Sequence, residues 1–236
     1  MNIFVANTGR CGSEFMFHIV DKMTNYPAFH EPKPYGAEIM KMVNDEGRMD
    51  GKILQEKISA IKRATIDGNY FESSNMFIKV WAEAIIEEME DVCCVYLERN
   101  PLDVLISFAE YVTYHNNPHY PTRSFMNPSW KYNLLRIPGR AKWAEAILWN
   151  WYEVKARFEK MKDSFYMTYS FRFEDLNSTK AWQAMFNHFR IKYDPSAPLP
   201  RVWKNTWVGD SGLSKGELIE KVQALWDIDY EEWQEK

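Results

Sequence analysis

Short apolar runs alternate with amphipathic stretches along most of the chain. Ile3-Phe4-Val5-Ala6 opens it as a strand, and Asn7 to Ser13 is a turn with two glycines. Phe15, Met16, Ile19, Val20 and Met23 then recur at helical spacing, with Ser13 and Glu14 as a helix start. Ala28-Phe29-His30 is a second extended piece, stopped by Pro32 and Pro34. Residues 52–66 predict an amphipathic helix with Ile53, Leu54, Ile58, Ile61 and Ile66 on one side. Strand 70–73 and helix 77–89 follow. Val92-Cys93-Cys94-Val95-Tyr96-Leu97 is uninterrupted and apolar, as a strand buried on both faces should be. Pro101 suits the first turn of a helix that Leu102, Leu105, Ile106, Phe108 and Ala109 continue. Further helices are predicted over 141–161, 182–189 and 215–226, with a last strand over 165–169. This alternation predicts an α/β fold, a mostly parallel sheet flanked by helices on both faces.

Residues 113–139 break the pattern. They carry Pro118, Pro121, Pro128 and Pro138 and no apolar period. So long an irregular stretch inside one domain reads as a lid or binding loop. Tyr114, His115, His119, Tyr120, Phe125 and Trp130 would suit stacking on a sugar or aromatic ring, or packing of the lid itself.

With 236 residues, no repeat and no linker, the chain reads as a single domain, 1–236. A formal net charge of −4 excludes a global basic field of the kind a nucleic-acid coat protein presents. Any anion site must therefore be local. No apolar run approaches the roughly 20 residues of a membrane span. Met1-Asn2 runs straight into the first strand without a basic leader, so no signal peptide is expected. Cys11, Cys93 and Cys94 form no disulfide framework and suit a reducing, cytoplasmic setting. Nine of the ten tryptophans lie from Trp130 onward, so the two halves of the chain differ.

Two strand ends carry anion-binding chemistry. In Thr8-Gly9-Arg10-Cys11-Gly12-Ser13 the glycines let the backbone approach an anion, and the following helix adds its amides and dipole. Arg10 supplies a full charge and Ser13 a hydroxyl. The GxxxxGK[ST] pattern is missing, which weighs against an NTPase. At the second strand end, Arg99-Asn100-Pro101 is followed by Ser107 two turns into the next helix, a pair able to hold one phosphate.

In these motifs the chain resembles the sulfotransferases that use 3′-phosphoadenosine 5′-phosphosulfate (PAPS). Residues Thr8 to Ser13 look like their 5′-phosphosulfate loop in its arginine-bearing form. Arg99 to Ser107 looks like their 3′-phosphate motif, with Asn100 where Asp is commoner. Phe173-Glu174-Asp175-Leu176 resembles their E-D-L element. The resemblance spans roughly residues 3–190. It implies a three-layer sandwich like that of the P-loop nucleoside triphosphate hydrolases, and transfer of a sulfuryl group to an acceptor hydroxyl with release of 3′,5′-ADP. PAPS carries two separated anions, which the two arginine-bearing strand ends match. No metal is implied.

The acceptor proton needs a base. His30 and Glu31 are adjacent, so on an extended strand only one of them can enter the site. The resemblance favours Glu31, twenty-one residues after Arg10, because arginine-loop members often place a glutamate about there. Ser73, Ser74 and Lys79 are candidates to line the site, and Trp81, Trp143, Trp149 and Trp151 are expected in the core. Trp203-Lys204-Asn205 matches a family element that closes over the 3′ phosphate, so Lys204 and Asn205 are a third candidate contact. Two other functions fit such a fold, a small-molecule kinase and a non-catalytic nucleotide-binding module. The acceptor, a small-molecule or glycan hydroxyl, and the oligomeric state are not readable.

Overall fold

A computed structural model describes residues 1–115, 125–137 and 143–199. Five strands form one fully parallel sheet, β1 (Asn2–Ala6), β2 (Ala28–His30), β3 (Tyr70–Ser73), β4 (Val92–Glu98) and β5 (Met167–Arg172), in the order β2-β3-β1-β4-β5. Ile3 lies in register with Phe71 on one side and Cys93 on the other. Every carboxyl end therefore opens on the same edge.

Side-chain alternation divides the core in two. Ile3, Val5, Phe71, Cys93, Val95 and Phe171 point to one face, covered by α1 (Ser13–Met23), α5 (Pro101–His115) and α7 (Thr179–His188). Phe4, Ala6, Tyr70, Cys94 and Tyr96 point to the other. That face is covered by α2 (Ala37–Asn44), α3 (Gly51–Ala64), α4 (Ala82–Glu88) and the later part of α6 (Trp143–Met161). The expected two-sided parallel sheet is thus present, with β1 at its centre and β4, beside it, buried from Val92 to Leu97. Trp81, Trp149 and Trp151 are core residues, as expected.

Several boundaries differ from the sequence reading. α3 ends at Ala64, because Asp67 and Gly68 take left-handed conformations in a turn; Ile66 is left 58% exposed instead of on the buried face. The helix α2 lies outside the predicted elements; Ile39, Met40 and Val43 mark its inner side at helical spacing over only eight residues. α5 continues to His115, so 113–115 are helical, not irregular. β5 starts at Met167, while Phe165 packs into the second core instead. Residues Phe77–Trp81 form a π-helical turn before α4. The helix expected over 215–226 lies outside the described residues. Among the described residues, no helix is long and apolar enough to cross a membrane.

Candidate functional site

The loop between β1 and α1 is built around left-handed backbone. Gly9, Arg10 and Gly12 have φ of 94°, 56° and 88°. Runs of this kind turn successive amides toward a common centre, a nest for an anion. The first amides of α1, Ser13 to Phe15, precede its first hydrogen bond, from Met16 N to Gly12 O at 3.0 Å, and add to it. Buried Asn7 fixes the entry, its Oδ1 accepting from Gly9 N at 2.8 Å. The Gly9 carbonyl in turn accepts from Thr8 Oγ1 at 3.1 Å and Cys11 Sγ at 3.2 Å. Burial pushes the Cys11 thiol up, so it serves as a small packed group rather than a thiolate. Gly12 is required on two counts. Its φ is positive, and a Cβ there would meet Leu176 Cδ1 at 2.5 Å. Gly12, not Ser13, occupies the cap; Ser13 is the first helical residue.

Both halves of the second motif attach to residue 10. Arg99 Nη1 donates to the Arg10 carbonyl at 2.8 Å, and Arg10 Nε donates to Ser107 Oγ at 3.3 Å. The sequence reading has Arg99 and Ser107 hold one phosphate between them; in the structure each is hydrogen-bonded to Arg10. The Arg99 guanidinium lies 4.0 Å from the Phe173 ring centroid, and its buried Nε meets no acceptor among the described residues. Asn100 Oδ1 accepts from Leu102 N at 2.9 Å, so it caps α5 as an aspartate would, and the departure at this position costs the motif nothing structurally. Trp151 Nε1 donates to the Arg99 carbonyl at 2.8 Å. Beside them lies an open cleft of about 270 Å³, lined by Arg99, Trp151, Arg172 and Glu174 among others.

The E-D-L stretch is a buttress. Phe173 covers Arg99 and Leu176 fills the space beside Gly12. The Leu176 carbonyl accepts from the Trp182 indole at 2.8 Å.

On the other side of β1, the ends of β2 and β3 bring Glu31 into the same region. Glu31 has a left-handed φ of 46°, and its amide donates to the Ser73 carbonyl at 3.2 Å. Its carboxylate accepts a short hydrogen bond from Asn75 Nδ2. Lys79 Nζ donates to Asn75 Oδ1 at 3.4 Å and to the Thr8 carbonyl at 3.1 Å. Glu31 is thereby connected to the first loop. The His30 ring lies beside Phe17 of α1, 6.3 Å between centroids, and its Nδ1–H donates to the same Ser73 carbonyl at 2.9 Å. Ser73 Oγ donates to the Ser13 carbonyl at 2.8 Å, and Ser74 Oγ accepts from Met76 N at 3.2 Å. Both hydroxyls thus brace the backbone around the site.

The sequence reading missed Asn75, which carries no motif, and the bracing role of Phe173 and Leu176. Lys204 and Asn205 lie outside the described residues, as do 116–124 and 138–139 of the irregular stretch. Among the described residues, no cluster of His, Cys, Asp and Glu is placed to hold a metal ion.

No protein-family model and no curated protein matches the sequence. In three dimensions the chain resembles a sulfotransferase from Alicyclobacillus acidocaldarius, with a TM-score of 0.51 over 99% of this chain and 98% of that one, at 14% identity. The α/β three-layer fold is thus sulfotransferase-like and P-loop-like in its architecture.

Proposed function

We propose that the chain is a sulfotransferase that moves a sulfuryl group from PAPS to an acceptor hydroxyl. The observation that carries this reading is a convergence at one sheet edge. An anion nest, two arginines and a serine gather on residue 10, with a carboxylate joined to the same loop through Asn75 and Lys79. The fit to a doubly anionic donor rests on the left-handed loop and on the buried Arg99 Nε, which has hydrogen-bonding capacity left over.

When bound, PAPS supplies an activated sulfuryl group on a phosphate leaving group. The loop amides and Arg10 take up negative charge at the 5′ end. Arg99 and Ser107 serve the 3′ phosphate, with Lys204 and Asn205 as a further contact. Glu31 accepts the acceptor's proton; as the new ester S–O bond forms, the S–O bond to phosphate breaks and 3′,5′-ADP leaves. His30 supports the β2–β3 junction instead of acting as the base. The protein's contribution is positioning and charge stabilisation, as in phosphoryl transfer. The acceptor is a small-molecule or glycan hydroxyl.

Thermal-shift titration is the direct test. 3′,5′-ADP is expected to bind at least tenfold more tightly than 5′-AMP and to raise the melting point accordingly. Equal responses would remove the 3′-phosphate site and with it the reading. Transfer of labelled sulfate from PAPS to a panel of hydroxyl acceptors identifies the acceptor class. Glu31→Gln should lower turnover by about 10²–10⁴-fold with nucleotide binding retained; undiminished turnover would move the base elsewhere.

A further inference from the structure

Three observations meet at Lys79. Its side chain is fully buried. It lies in the π-helical turn Phe77–Trp81, a form that concentrates at functional sites. And its ammonium sits between the first loop and the amide that holds Glu31, donating to Thr8 O and to Asn75 Oδ1. A buried ammonium costs several kcal/mol unless charge compensates it.

The groups facing Lys79 come from every neighbouring element. The first loop brings Thr8 and Cys11, the end of β2 brings Glu31, and the end of β3 brings Asn75. The Phe125 ring centroid lies 5.3 Å from its Nζ. Asn44 of α2 and Arg157 of α6 both donate to its carbonyl, at 3.0 and 2.9 Å. Burial lowers the ammonium to about 7; Glu31 is the largest influence in the opposite sense, then Cys11, while Arg157 adds to the lowering. The Glu31 charge is therefore felt at Nζ across the intervening amide.

We propose that Lys79 is a positioning residue: through Asn75 on one side and the Thr8 carbonyl on the other, it holds the Glu31 carboxylate and the first loop in one fixed relation. This rests on the sulfuryl-transfer role given to Glu31 above.

A thermal-denaturation cycle on the ligand-free chain tests the coupling. The variants are Lys79→Met, Glu31→Gln and the two combined. The double variant is expected to lose about 2–4 °C less than the sum of the single losses. Additive losses overturn the proposal. Should Lys79→Met fail to fold, Asn75→Ala cuts the same relay and replaces it in the cycle. In labelled-sulfate turnover, the Lys79 or Asn75 variant is expected to lower kcat at least tenfold with the acceptor KM within threefold; an unchanged kcat overturns the positioning role. A parent chain that ignores 3′,5′-ADP and does not turn over PAPS overturns the preceding reading, while the denaturation cycle still decides the coupling.

Discussion

Lys57 and Lys79 are both buried lysines on the same side of the sheet, one 1% and the other 0% exposed, yet the chain treats them differently. Lys57 on α3 donates to both carboxylate oxygens of Glu72 on β3, at 2.8 and 2.7 Å, and Tyr70 completes the cluster. Its charge is neutralised on the spot by a carboxylate within β3, one residue before the end of the strand. Lys79 instead reaches a backbone carbonyl and an amide, with the carboxylate one residue further away. The first arrangement closes on itself. The second is open toward the loop. Full burial alone thus says little about a lysine's purpose; the identity of its direct acceptors says more.

The comparison breaks most visibly at the closed pair. Lys57→Met leaves a buried carboxylate without its cation and is expected to cost about 3–5 kcal/mol. Lys57→Met with Glu72→Met should recover most of that in urea denaturation, because the pair goes together. Neither change should alter the preference for 3′,5′-ADP over 5′-AMP, so a lost preference in a folded variant would place Lys57 in the site network. Gly12→Ala is next, at about 2–3 kcal/mol from left-handed strain and the collision with Leu176. It should also abolish the 3′,5′-ADP shift, since the nest cannot form.

The smallest effect sharpens the contrast through pH. Folding lowers Lys79 from its ordinary 10.5 to about 7. Between those values the unfolded chain holds more protons, so stability from this group rises with pH, by at most about 1.4 kcal/mol per pH unit. Above pH 9 the buried Cys11 thiol works in reverse, because the unfolded thiol ionises first. Denaturation read from pH 7 to 8.5 should therefore show a rise in the parent that Lys79→Met flattens. A rise that persists in Lys79→Met would assign it to other groups.

The fold was largely legible because its signal is periodic. The run from Val92 to Leu97 and the spacing of Phe15, Met16, Ile19 and Val20 correspond to β4 and α1 almost residue for residue. The short α2 escaped because its apolar residues, though at helical spacing, extend over only eight residues, about two turns. Arg10, Arg99, Ser107 and Glu31 could be listed from motif and spacing, but their mutual contacts could not. That Ser107 meets Arg10, and that Glu31 meets Asn75, depends on where residues 97 and 44 positions apart come to rest. The distinction between His30 and Glu31 was likewise open in sequence, where alternation allows either. In space, the left-handed turn at Glu31 separates their directions.

The seat that Leu176 provides for Gly12 has a consequence for synthesis. A ribosome makes the chain from its N-terminus, so residues 7–12 emerge well before Leu176. Their conformation is closed from behind by Leu176, itself anchored to Trp182, which packs on Phe171 with ring centroids 4.7 Å apart. The loop waits for some 170 further residues before its shape is enforced. The loop is thus synthesised long before its wall, and a nascent chain halted before Leu176 carries the loop's full sequence without the wall that shapes it.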